Sequence, residues 1–235
     1  MKALITIFCT LFLLSCSVSR HICIDLEDYV GLDDKDVHFQ MIIDNPNEPN
    51  SADTVYWQGS KKFKYELKET PDDYLAFVEV SKLDEDDLEH RLFRSVAAID
   101  GDNITIRVLK RDSVILSGSK SNECITNFWH GKILEGQIIN DYKDIICFCQ
   151  NEIKNHPNDL YGAFIYSFEF IHQYRHIDES ISPAIKAEMI LDEIKHSDSY
   201  IYNHSVVRPF LDTIISAGDV SMTLKMAFIS YMIPF

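Results

Sequence analysis

Between Ile22 and Gly118 apolar and polar residues alternate with a period near two, as half-buried strands require. Phe63, Tyr65 and Leu67 alternate with Lys62, Lys64 and Glu66, and Ile104, Ile106 and Val108 alternate with Thr105 and Arg107. About seven strands are predicted, at residues 37–43, 54–57, 63–67, 74–80, 92–99, 104–108 and 113–116. Turn clusters separate them: Asp44-Asn45-Pro46-Asn47, Gln58-Gly59-Ser60, Asp100-Gly101-Asp102 and Lys110-Arg111-Asp112. Short strands at this spacing predict an antiparallel β-sandwich or open barrel.

Near Ser119 the period lengthens. Ile125, Phe128, Trp129, Lys132, Ile133 and Gln137 have helical spacing, and the apolar pattern runs on to Phe148 before Asn155-His156-Pro157-Asn158 breaks it. A second, very aromatic helix is expected from Leu160 to about Tyr174. A third is expected from Ser182-Pro183 to about Ile194, with Ser as N-cap and Pro in the first turn, and a fourth at about 205–216. Met222 to Phe235 is largely apolar and reads as a last strand or the remnant of a truncated reading frame. The fold class is therefore α+β, with a β-rich domain at 16–118 followed by an α-helical domain at 119–235.

The first fifteen residues stand outside that scheme. Met1-Lys2 followed by a nearly all-apolar run from Ala3 to Leu14 has the layout of a secretory signal peptide. The run is too short for a membrane span, which needs about 20 apolar residues. Its end, Leu13-Leu14-Ser15-Cys16, resembles the lipobox of bacterial lipoproteins, in which the Cys thiol is lipidated and the chain is cut just before it. Cys16 is thus the expected lipid-attachment site and the first residue of the mature chain. The expected location is the bacterial cell envelope: lipid-anchored, outer membrane, facing the periplasm. The membrane is then one partner, through the N-terminal lipid, and an envelope protein is a second expected partner.

Charge narrows the partners further. The precursor carries −15, and removing residues 1–15 takes away Lys2 and no acid, which leaves −16. Such acidity disfavours nucleic acid and broad contact with anionic headgroups, both of which need Lys and Arg patches. The densest acidic run, Asp84-Glu85-Asp86-Asp87 with Glu89, lies between two strand segments and reads as a solvated loop. Cys23, Cys124, Cys147 and Cys149 would lie in an oxidising compartment. Three disulfide pairings and buried free thiols all remain open.

Ile99 to Phe128 contains Asp100-Gly101-Asp102-Asn103-Ile104-Thr105-Ile106, then Val114 to Gly118, then Asn122 and Phe128. Asn155-His156-Pro157-Asn158 precedes Gly162-Ala163-Phe164, and Phe63-x-Tyr65 precedes Thr70-Pro71. In this order the chain resembles the family called domain of unknown function 4369, in which an Asn opens the helix after a β-hairpin. The resemblance implies a lipoprotein whose relatives often continue into a thioredoxin-like domain. This chain departs from that pattern: it stops about where such a domain would begin and contains no Cys-x-x-Cys. The motif is what lowers one thiol's pKa for disulfide exchange, so the oxidoreductase activity is not carried over.

Few residues present catalytic chemistry. Cys147-Phe148-Cys149 would point its thiols about 200° apart on a helix, which prevents them from pairing. Glu169, His172 and His176 fall at i, i+3 and i+7, one helix face, and are the only candidate metal ligands. The plainer reading of that face is a polar helix end, since no general-base Glu accompanies the histidines. The aromatic residues Tyr161, Phe164, Tyr166, Phe168, Phe170 and Tyr174 read first as core and second as a groove for an apolar or sugar ligand. No catalytic residue and no cofactor is assigned. The expected function is that of a non-enzymatic binding or accessory module. A degenerate oxidoreductase relative that keeps only partner recognition is the alternative, and a metal-binding hydrolase ranks third.

Overall fold

The computed structural model describes residues 19–29, 32, 37–44, 52–68, 73–83, 89–111, 113–130 and 142–182, together with Ile185, Lys186 and Met189. The expected signal peptide, Cys16, the bulk of the third helix, the fourth helix and the C-terminal strand lie outside the described residues. So do residues 84–88 of the acidic run.

Eight strands form two four-stranded sheets, and three helices follow, which makes the fold mixed α+β. The strands are β1 (His21–Asp25), β2 (His38–Asp44), β3 (Asp53–Gln58), β4 (Lys62–Glu66), β5 (Tyr74–Leu83), β6 (Glu89–Ile99), β7 (Asn103–Lys110) and β8 (Ser113–Ser117). One sheet has the order β4-β1-β7-β8 and the other β3-β2-β5-β6. The helices are α1 (Lys120–Asn127), α2 (Tyr142–Asn155) and α3 (Leu160–His176).

The structure corrects two expectations. One strand was not predicted, β1, in which Ile22 and Ile24 are the buried positions. The sheets are not wholly antiparallel either, because β1 runs parallel to β7, with His21 opposite Asn103 and Asp25 opposite Arg107. That pairing joins segments far apart in sequence, and no local pattern announces it. The stretch of the expected helical run that holds Lys132, Ile133 and Gln137 lies outside the described residues, between α1 and α2.

The two sheets differ in what covers them. In the first, Ile22, Ile24, Ile104, Ile106 and Val108 are buried on one face. The opposite face carries Lys62, Asp25 and Arg107 in one cross-strand row. Lys62 bonds the Glu27 carboxylate at 2.8 Å, and Arg107 Nε donates to Asp28 at 2.6 Å. In the second sheet, Ala76, Val78, Ala97 and Ile99 are buried, but so are Phe77, Val96 and Ala98, which point the other way. Helix α3 packs on β5, and α1 packs on β6. Both faces of this hairpin are therefore covered, which is why β5 reads Tyr-Leu-Ala-Phe-Val without alternation.

The flanks of the two sheets are joined differently. On one side Trp57 of β3 stacks between Phe39 and Phe63, at 5.0 and 4.5 Å between ring centres. This connects the edge strand of one sheet to that of the other. On the opposite side α1 bridges the edge strands β6 and β8. Asn122 Nδ2 donates to Ala98 O at 2.7 Å, and Ala98 N donates to Asn122 Oδ1 at 2.9 Å. One turn on, Leu116 N donates to Thr126 Oγ1 at 2.8 Å, and the Thr126 hydroxyl donates to Leu116 O at 3.0 Å. A further turn on, His130 Nε2 donates to Val114 O at 3.0 Å. Side chains four residues apart share a helix face, so this polar stripe satisfies edge groups that would otherwise be exposed.

Gly118 makes the turn into that helix possible. Its φ is +99°, and a Cβ built on it would sit 2.0 Å from Asn103 O. Gly101 approaches as closely from the other side, with its Cβ position 2.6 Å from Gly118 O. Ser119 then caps α1, accepting from Asn122 N at 3.1 Å.

Candidate functional site

A group of ionisable and sulfur-bearing side chains lies where α1, α2 and α3 meet. It comprises Cys124 of α1, Cys149 and Glu152 of α2, His156 and Asp159 of the connecting turn, and Tyr161 of α3. Asp159 is the N-cap of α3: its Oδ1 accepts from Gly162 N at 2.9 Å. Its Oδ2 accepts from His156 Nδ1 at 2.7 Å. The His156 ring meets Tyr161 edge-on at 4.8 Å, and the Tyr161 hydroxyl donates to Glu152 Oε2 at 2.8 Å. His156 N bonds back to Glu152 O at 3.0 Å, closing the loop onto α2.

A histidine oriented by a carboxylate beside a cysteine has the parts of a nucleophilic site. The electrostatics run the other way. Burial pushes the Cys124 thiol up from its ordinary value of 9.0, and the Asp159 carboxylate pushes it further. Burial raises Cys149 much more strongly, with Glu169 and Glu152 adding to it. Both thiols hold their protons at neutral pH, and a protonated thiol is a poor nucleophile. Tyr161 is likewise raised, first by burial and then by its bond to Glu152. The cluster thus acts as a hydrogen-bonded clamp between α2 and α3, in which the thiols and the Tyr161 hydroxyl stay protonated.

Around it lies an aromatic core. Phe128, at the end of α1, meets Phe164 and Phe168 edge-on at 5.6 and 5.0 Å and stacks with Phe148 at 6.0 Å. Tyr161, Phe164, Tyr166 and Phe168 are buried; the side chains of Phe170 and Tyr174 lie outside the description. Outside this core, both faces of Trp57 are covered, by Phe39 and Phe63.

Of the predicted metal-binding face, two of the three side chains, those of Glu169 and His176, are described. Glu169 is 1% exposed and its Oε1 accepts from Gln173 Nε2 at 3.1 Å. His176 is exposed at the end of α3, where its ring stacks on Tyr142 of α2 at 3.8 Å. The side chain of His172 lies outside the description. Among the described residues no three His, Cys, Asp or Glu side chains are grouped to hold a metal ion. Cys147 is exposed while Cys149 is buried, as the helical period requires, and Cys23, Cys124, Cys147 and Cys149 are all free thiols.

Sequence reasoning missed the clamp and the edge stripe. One signal for each was available: Asp159 precedes the apolar run of α3 as an N-cap should, and Asn122, Thr126 and His130 repeat every fourth residue, on one helix face. No helix among the described residues is long and apolar enough to cross a membrane. Compared with protein-family models, curated proteins and solved structures, the chain matches none.

Proposed function

We propose that this protein is an envelope lipoprotein, anchored through a lipid on Cys16, whose folded part serves as a non-enzymatic binding or accessory module. The observation that carries the reading is the segment Leu13-Leu14-Ser15-Cys16, which ends an apolar export signal. Two acyl chains or more hold a protein stably at a bilayer, where one holds it marginally. In this reading the two sheets stack as a β-sandwich at 16–118 and the helices form the second unit, as in the domain of unknown function 4369 family. What supports that resemblance is the work done by the residues that carry it. Gly101 and Gly118 allow the close approach of two chain segments, and Asn122 ties the helix to β6.

The non-enzymatic part rests on the thiols. Cys124 and Cys149 lie in surroundings that keep them protonated, and the chain has no Cys-x-x-Cys. The test of the anchor is metabolic labelling with a radioactive fatty acid. Cys16→Ala should lose the label and remain uncleaved at Ser15. Membrane retention and labelling equal to wild type would refute it.

A further inference from the structure

We propose that the end of the two sheets bearing the start of β1 lies against the headgroup surface of the bilayer that holds the Cys16 lipid. The inference rests on the anchor reading and adds an orientation to it. Its basis is the length of chain between Cys16 and the fold. Only Ser17, Val18 and Ser19 separate Cys16 from Arg20. Four residues fully extended reach at most about 14 Å.

Arg20 is already part of the folded unit. Its Nη2 bonds Asp73 at 2.7 Å, its Nη1 donates to Ile99 O at 3.2 Å, and its carbonyl accepts from Leu67 N at 2.8 Å. Those three partners belong to three different stretches of chain, so Arg20 cannot swing away without unpicking all of them.

The strand registers define what surrounds it. His21 lies opposite Glu66 of β4 and Asn103 of β7, and Thr105 opposite Ser117 of β8. In the other sheet Tyr74, which begins β5, lies opposite Ile99, which ends β6. One end of the two sheets therefore presents Glu66, Lys68, Asp102 and Asn103, all exposed. The opposite end carries Gln58 and Lys110. Asn103 and Lys110 are the two ends of β7, about 23 Å apart at ~3.3 Å per residue.

Charge does not supply the contact. Arg20 is paired with Asp73 and Lys68 with Asp53, while Glu66 and Asp102 add negative charge in an acidic protein. The covalent tether holds the surface there, so the contact should be insensitive to salt. The end with Gln58 and Lys110 is then the one turned toward a partner.

The experiment uses the full lipidated chain in vesicles of phosphatidylethanolamine with one-fifth phosphatidylglycerol. The photo-crosslinker p-benzoylphenylalanine is placed singly at Asn103, Lys68, Gln58 or Lys110, all exposed. Each variant is first checked for an unchanged melting curve and, by mass, for acyl groups on Cys16. Lipid adducts at Asn103 and Lys68 should exceed those at Gln58 and Lys110 at least fivefold, at low and high salt alike. Inserting ten Gly and Ser residues after Ser17 should abolish that difference while leaving Cys16 acylated. Equal adducts at both ends of the uninserted protein, with Cys16 acylated, would overturn the orientation and leave the anchor standing. Protein adducts at Asn103 in whole cells, in place of lipid, would also overturn it. A chain with no acyl group on Cys16 would sink the anchor and the orientation together.

Discussion

Replacing Asn122 by Leu tests the joint between the sheets and the helices. Asn122 is fully buried and takes both hydrogen-bonding groups of Ala98, itself fully buried, at the open edge of β6. Leu has the same branched shape and number of side-chain heavy atoms, is bulkier, and offers neither bond. Each stranded backbone group costs about 1–3 kcal/mol, so the pair costs about 4 kcal/mol. Burying an apolar side chain in place of an amide returns about 1 kcal/mol of that, leaving a net loss near ~3 kcal/mol. For a chain of this size each kcal/mol shifts Tm by about 2–4 °C, so a fall of about 6–12 °C is expected by calorimetry. Asn122→Asp sharpens the test. The carboxylate still accepts from Ala98 N but faces Ala98 O without a proton. Burial raises the folded pKa of the new carboxyl above its unfolded value near ~3.9. The bond it gives to Ala98 O is then fully present below that unfolded value and is lost as pH rises through the folded one. The deficit of Asn122→Asp against wild type should therefore shrink on going from neutral to acid solution, while that of Asn122→Leu stays constant. A Leu variant melting within about 2 °C of wild type, or an Asp variant whose deficit ignores pH, would refute the edge-satisfaction argument.

Other predictions follow from the same geometry. Gly118→Ala must place a methyl 2.0 Å from Asn103 O at φ +99°; it should cost at least about 3 kcal/mol in denaturant unfolding, whereas an exposed neighbour such as Lys120→Ala should cost little. The thiols and Tyr161 have folded pKa values raised above 9.0 and 10.0. For the buried Cys149 and Tyr161 this contribution to stability is fully present below those unfolded values and falls as pH rises beyond them, by up to about 1.4 kcal/mol per pH unit per group; the more exposed Cys124 contributes less. Tyr161→Phe should flatten this alkaline loss while lowering stability at neutral pH by about 1.5–3 kcal/mol, the worth of a bond to a charged partner; urea titrations at pH 7 and pH 10.5 read both effects. Phe128→Ala removes the ring shared by α1, α2 and α3 and should cost about 3–5 kcal/mol, with loss of the near-ultraviolet circular dichroism of Trp129, whose ring meets Phe128 at 5.4 Å.

How much of this fold the sequence displays depends on how many faces of an element are covered. Strands β4 and β7 have one wet face, and their alternation is legible residue by residue. The hairpin β5–β6 is covered on both sides, so Phe77 and Val96 blur its period, although its β-prone residues still mark it. Strand β1 offers only Ile22 and Ile24 to the core, and its place beside β7 depends on pairing across some eighty residues. A local pattern carries no information about that.

The site shows a sharper divide. The residues that look chemical in the sequence, Cys124, Cys149, His156, Asp159 and Glu169, are spent on holding helices together. Asp159 and His156 serve as a cap, Cys149 and Tyr161 stay neutral because they are buried, and Glu169 pairs along its own helix. Spacing alone cannot distinguish these roles from catalysis, because a nucleophile and a clamp draw on the same residue types. What separates them is the sign of the electrostatic effect, which requires knowing what each group faces. Here the acids face the thiols, and that order disfavours a thiolate at both positions. With both thiols and the Tyr161 hydroxyl protonated and the Glu152 and Asp159 carboxylates hydrogen-bonded, the cluster is suited to holding a shape. If the proposed anchor and orientation hold, the end of the sheets with Gln58 and Lys110 is where binding specificity should be sought.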